Sequence, residues 1–176
     1  GCTRIGISIE SGVQRVLKEI IHKPLNLEIV APLVQKVHNH NIMLIADFII
    51  GLPGETWADV RSSFEFAYNM GADLCNVNIA VPYPGTELFT YMTHHGLLPK
   101  NFSFNERFYI DGLLSCSEFS AAELQIMRAF EWERINASTE ERKVRAMRVL
   151  RLSENELLKY CQEMRKSAIM FVKKYG

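Results

Sequence analysis

The stretch that most constrains this chain is Met43 to Glu55, MLIADFIIGLPGE. Eight apolar-dominated residues end abruptly in a Gly-Pro-Gly turn and a carboxylate. A strand of a parallel sheet, covered on both faces, reads this way, because helices on each side demand apolar contact. Asp47 breaks the run. A carboxylate in apolar surroundings costs several kcal/mol, on the order of a whole mutational effect, unless it is paired or wetted. Either the strand end opens onto a polar site, or Asp47 caps neighbouring backbone.

The flanking segments repeat the strand pattern. Arg4 to Glu10 alternates, with Ile5, Ile7 and Ile9 on one side and Gly6, Ser8 and Glu10 on the other. Leu74 to Val81 does the same, setting Val77, Ile79 and Val81 against Asn76, Asn78 and Ala80. Helical patterns follow each strand. Val13–Ile21 carries Val13, Val16, Leu17 and Ile20 on one face. Glu28–His38 is built on Ile29, Leu33 and Val37, with Pro32 tolerable only in a first turn and Asn41 in a left-handed position behind it. Trp57–Met70 opens with a Thr56/Asp59 capping box, buries Val60, Phe64 and Ala67, and stops at Gly71. Pro82-Tyr83-Pro84-Gly85 closes the third strand, and Thr86 starts a helix to about His95.

Strand–helix alternation at this spacing predicts βαβ units, hence a parallel sheet with right-handed crossovers. Gly6, Ser8, Glu10, Asp47, Asn76 and Asn78 then share one surface toward the strands' C-terminal ends, where α/β folds place their sites. A ligand surface and a merely wet sheet face both fit that set. Residues 1–99 are read as this βα region and 100–176 as an irregular aromatic segment with a helical region. The aromatic segment, Asn101 to Ser117, contains Phe102, Phe104, Phe108 and Tyr109. The helices are announced by S-x-x-E boxes at Ser120/Glu123, Ser138/Glu141 and Ser153/Glu156. Leu124, Met127 and Phe130 form one apolar stripe, and Leu157, Cys161, Met164, Ala168 and Phe171 another. The bases of Glu140–Arg151 read as a solvated face.

Lys plus Arg and Asp plus Glu each number 20, so the net charge is zero, which argues against nucleic acid held by bulk charge. No apolar run reaches membrane-spanning length, and the expectation is a soluble, cytoplasmic protein. Cys2, Cys75, Cys116 and Cys161 have neither disulfide-framework nor CxxC spacing and are expected to be reduced thiols. The five histidines form no ligand motif and are read as surface or end-capping residues.

Four motifs occur in order: Glu10-Ser11-Gly12; Gln14-Arg15-Val16-Leu17-Lys18; Asp47 through Gly51-Leu52-Pro53-Gly54-Glu55-Thr56; and Pro82-Tyr83-Pro84-Gly85-Thr86-Glu87-Leu88. Over residues 4 to 97 they resemble the C-terminal half of the radical S-adenosylmethionine barrel, closest to the branch whose members often carry an upstream cobalamin-binding domain. The resemblance implies the fourth to sixth strands of a partial, TIM-like (βα)6 barrel followed by a helical tail. It implies that Glu10 and Asp47 hydrogen-bond the ribose of S-adenosylmethionine, that backbone at Val81, Pro82 and Tyr83 meets the adenine, and that Ser8 and Asn78 face the cavity. A four-iron four-sulfur cluster is implied, with ligands outside this chain, because the family's CxxxCxxC loop is absent from it; cobalamin is a further possibility upstream.

The resulting expectation is a fragment of a radical S-adenosylmethionine enzyme, inactive alone. Its partners would be the missing N-terminal half of the barrel, an electron donor and a small-molecule substrate. The C-terminal tail is expected to cover the substrate end, with the aromatic segment as a lid. Two alternatives stand beside this one: a non-catalytic half-barrel acting as a binding or interaction module through an open sheet edge, and an unrelated α/β enzyme using Glu10 and Asp47 as an acid–base pair.

Overall fold

The computed structural model describes residues 1–98, 115 and 117–175. Cys116 and the aromatic segment containing Phe102, Phe104, Phe108 and Tyr109 lie outside the described residues. Three strands, β1 (Arg4–Glu10), β2 (Met43–Ile50) and β3 (Leu74–Ile79), form a parallel sheet in the order β1-β2-β3. A π-helical turn (Val16–Ile20), a 3-10 turn (Leu27–Ile29) and α1 (Val30–Asn39) connect β1 to β2, and α2 (Trp57–Asn69) connects β2 to β3. Then come α3 (Glu87–His94), α4 (Ala121–Ala137), α5 (Glu140–Leu150) and α6 (Glu154–Tyr175). The protein is α/β with a parallel sheet, a geometry compatible with part of a barrel.

One sheet face carries the main core. Leu44, Ala46, Phe48 and Ile50 alternate inward along β2 and join Ile9, Cys75, Val77 and Ile79 under α1 and α2. Burial of each large side chain contributes roughly 1.5–3 kcal/mol. On α1 the buried stripe is Val30, Val34 and Val37, whereas Ile29 and Leu33 are exposed. The expectation of an Ile29/Leu33/Val37 stripe was therefore out of phase. The 3-10 turn ends at Ile29, so the α-helical period begins one residue later. Pro32 falls in the first turn of α1, where a missing N–H costs nothing, and Asn41 has φ of 56°.

The opposite sheet face divides along its length. At the strands' N-terminal end, Met43, Ile45 and Leu74 pack against Trp132 of α4, Ala146 and Val149 of α5, and Leu157 and Cys161 of α6. Arg4 Nη1 also donates to Val149 O at 3.2 Å. Helix α5 and the start of α6 thus pack at the N-terminal end of the strands, whereas α4 runs along β3 and brings Leu124 to Gly51 in the loop after β2. The aromatic residues expected as a lid lie outside the described residues. Apolar side chains at the start of β2 and β3 give Ala146 and Val149 of α5 and Leu157 and Cys161 of α6 a surface to bury against, and α6 packs along α4.

The two sheet edges differ. Along β3, Asn136 of α4 accepts from Cys75 N–H and donates to Cys75 C=O, both at 2.8 Å, and Arg128 Nε donates to Val77 O at 2.9 Å. Helix α4 therefore closes this edge. Among the described residues no strand pairs with the outer edge of β1.

The other helix signals were partly displaced. The Ser120/Glu123 box forms as expected, and Ser153 pairs with Glu156. Between them, Ser138 ends α4 and Thr139 caps α5, because Ser138 keeps helical backbone angles while Thr139 is extended. Phe130 is half exposed rather than part of the α4 stripe; Leu124, Ala129, Trp132 and Ile135 are buried instead. On α5, Arg142 donates to Ile135 O and Tyr68 O, and Arg145 to Gly71 O. These two bases anchor the helix rather than face solvent alone. His38 is likewise more than a surface group: its Nε2 lies 2.8 Å from Asp73 Oδ2, which also accepts from Leu44 N–H.

Candidate functional site

Beyond the buried lower part, the open sheet face carries a polar row. Ser8, Asp47 and Asn76 are register partners across all three strands. Asn76 Nδ2 donates to Asp47 Oδ1 at 2.8 Å. Asp47 is therefore paired side chain to side chain across the sheet, not used as a cap for backbone. One step toward the C-terminal ends, Ile49 partners Asn78. Among the described residues the Ser8 hydroxyl, Asp47 Oδ2 and the Asn78 amide make no hydrogen bond to protein. Gly6 adds an exposed position with nothing within 4 Å of where a Cβ would stand. The row and the space beside it can take a ligand rich in hydroxyls or amides.

Glu10 is placed differently from its neighbours. The β1–β2 register shifts between Ser8 and Glu10, so that Glu10 rather than Ile9 lies opposite Phe48. Its φ of 72° is left-handed, unusual for a residue with a Cβ. Simple alternation could not foresee this bulge. Lys23 Nζ lies 3.5 Å from Glu10 Oε1 and also donates to Ser8 O. Glu10 and Asp47 thus engage separate partners, Lys23 and Asn76, and the structure shows no bond between them.

The first βα loop is fixed by Ser11-Gly12. Ser11 is fully buried, its Oγ 3.0 Å from Ser63 Oγ on α2, and Gly12 N–H donates to the same Ser63 oxygen at 3.0 Å. A Cβ on Gly12 would lie 2.4 Å from Phe66 Cβ and 2.9 Å from Ser63 Cα. Only glycine permits that approach. Ser63 was missed as a contributor; a small polar residue on the buried stripe of α2 was its only signal.

The second βα loop turns on Gly51 and Gly54, with φ of 86° and 90°. Leu124 of α4 stands 2.7 Å from where a Gly51 Cβ would be. Arg15 Nη2 donates to Gly54 O and to Asp59, joining this loop to the first. Glu55 is fully buried; its Oε2 accepts from Leu52 N–H at 2.8 Å, while Oε1 has no hydrogen-bond partner among the described residues. Burial pushes its carboxyl up to about 7 against the pull of the Leu52 and Gly51 N–H groups. For Asp59 desolvation is the largest single influence and acts upward, but the hydrogen bonds from Thr56 and the Arg15 guanidinium together outweigh it and hold the carboxyl low.

The third loop follows Ala80, whose N–H still reaches Ile50 O at 2.9 Å. Val81 is half-buried, Pro82 buried and Tyr83 exposed. Tyr83 O accepts from Thr86 N–H and Oγ1, which holds the turn that starts α3.

No protein-family model matches the chain. It is similar to cytidylyl-2-hydroxyethylphosphonate methyltransferase of Streptomyces wedmorensis, 32% identical over 121 residues, covering 65% of this chain and 23% of that protein. An uncharacterized methyltransferase of Pyrococcus horikoshii is 31% identical over 126 residues, 70% of this chain and 27% of that protein. The tRNA-2-methylthio-N(6)-dimethylallyladenosine synthase of Pectobacterium atrosepticum is 33% identical over 82 residues, 46% of this chain and 17% of that protein. The chain spans about a quarter of the length of the first two. These partial relationships support a place for the chain in the radical S-adenosylmethionine superfamily, at that broad level.

Proposed function

We propose that this chain forms the ribose- and adenine-contacting side of an S-adenosylmethionine site in a radical S-adenosylmethionine enzyme, as part of a TIM-like barrel. The observation that carries this reading is the Ser8–Asp47–Asn76 row at the open end of a parallel sheet, with Asp47 Oδ2 and Asn78 left without protein partners among the described residues. A carboxylate accepts hydroxyl hydrogen bonds strongly, and a ribose diol offers two. Asp47 would hold the ribose, Ser8 and Asn78 would line the cavity, and the backbone of Val81–Tyr83 would edge the adenine. Glu10, beyond the bulge and 3.5 Å from Lys23 through Oε1, would meet the ribose with its other oxygen. S-adenosylmethionine supplies a methyl or an adenosyl group to such chemistry, and methyl transfer is the class that the methyltransferase relatives favour.

The described side chains do not fit an iron–sulfur cluster. Among the described residues no group of three or more His, Cys, Asp or Glu side chains converges, and Cys75 and Cys161 are buried apart. The reading therefore requires cluster ligands from a segment beyond this sequence, in a barrel half pairing with the free edge of β1. Cobalamin, an electron donor and a small-molecule substrate belong to the same proposal.

Titrating the labelled chain with S-adenosylmethionine while recording amide NMR spectra tests it. Shifts should concentrate at the amides of Asp47, Asn76, Asn78, Val81 and Tyr83. Shifts confined to α5 and α6, or none at millimolar ligand, would overturn it. The free β1 edge favours a second reading, a non-catalytic half-barrel that pairs with a partner strand. That reading predicts concentration-dependent self-association with no response to the cofactor.

A further inference from the structure

We infer that Asn76 is a positioning residue that presents the Asp47 carboxylate to a ligand diol. The inference rests on the reading that Asp47 meets a ribose. The polarity of the contact is fixed by chemistry: an ionised carboxylate only accepts, so the Asn76 amide must present its NH2 to Oδ1. Terminal carboxylate torsions are otherwise broad and nearly two-fold. A single cross-strand bond from β3 to the middle strand selects one orientation and occupies one oxygen, and Oδ2 has no protein partner among the described residues.

The two flanks of Asp47 are unequal. On the β3 side Asn76 grips it. On the β1 side its register partner Ser8 leaves it unbonded, and the neighbouring Gly6 offers open space. A ligand would therefore approach Asp47 over β1, with Asn76 as the backstop. Orientation fixed before binding need not be paid for on binding, so Asn76 should govern how strongly the site distinguishes a diol from its absence.

The probes are adenosine and 2′,3′-dideoxyadenosine, titrated into the chain by NMR, with circular dichroism checking the fold. The unaltered chain should prefer adenosine by about tenfold, the scale of a charge-assisted hydrogen bond withheld from a site built for it. Asn76→Ala should reduce the preference to about twofold or less by weakening adenosine alone; a purely structural role would weaken both ligands together. If the alanine variant does not fold, Asn76→Ser repeats the measurement at closer polarity. Asp47→Asn separates the two ideas. A preference that survives Asp47→Asn, or is missing from the unaltered chain, overturns the ribose reading and this inference with it. A preference lost in Asp47→Asn but kept in Asn76→Ala overturns the positioning role alone.

Discussion

Asn136 grips both backbone polar groups of Cys75, accepting from its N–H and donating to its C=O at 2.8 Å each. A side-chain amide reproduces what a neighbouring strand would offer, and so a helix can lie along a sheet edge. Replacing Asn136 by Ala would strand both groups where Cys75 and Asn136 are 2% and 3% exposed. Each buried unsatisfied group costs about 1–3 kcal/mol. Asn136→Ala should thus destabilise the chain by about 2–5 kcal/mol in urea unfolding, and a change below about 0.5 kcal/mol would remove α4 as the guardian of this edge.

Glu55 makes stability depend on pH in an unusual direction. Its folded value, about 7, lies above the ordinary 4.5, so between those values the folded state holds more protons than the unfolded one. Stability is fully present below pH 4.5 and falls as pH rises to about 7, by on the order of 3 kcal/mol. Asp59 is shifted downward and acts below pH 3.8, outside that window. Glu55→Gln should flatten the fall between pH 5 and 7 when unfolding free energies are compared across buffers.

Gly12 lies against α2 with no room for a methyl group. Gly12→Ala must push the first βα loop away from Ser63 and Phe66, breaking the Ser11–Ser63 contact. A loss of about 1–3 kcal/mol is expected. Thermal unfolding would check it, and an unchanged midpoint would show that the loop yields freely.

Leu157 joins α6 to the lower sheet face through Trp132 and Leu74 and is 2% exposed. Leu157→Ala should cost about 2–5 kcal/mol and expose Met43 and Ile45. Denaturant midpoints and binding of an apolar dye provide the readout. An unaffected variant would mean that the tail does not secure this face.

The sequence by itself determined what depends on neighbours along the chain. Two-residue alternation marked β1 and β3, and an apolar run stopped by Gly-Pro-Gly marked β2. The Thr56/Asp59 and Ser120/Glu123 boxes marked helix starts, and Asn41 marked a left-handed stop. Alternation within β1 and β3 also put Ser8 on one face of its strand and Asn76 and Asn78 on one face of theirs, while the register of β2 with both neighbours brings Asp47 between Ser8 and Asn76. Only the tertiary structure decided how that face is shared. The bulge that turns Glu10 toward Lys23 depends on pairing with β2. The burial of Met43, Ile45 and Leu74 depends on helices about 60 to 120 residues away, and the Asn136–Cys75 clamp on a contact across 61 residues. No local pattern encodes such pairings, because each partner satisfies its own short-range rules whether or not the other arrives.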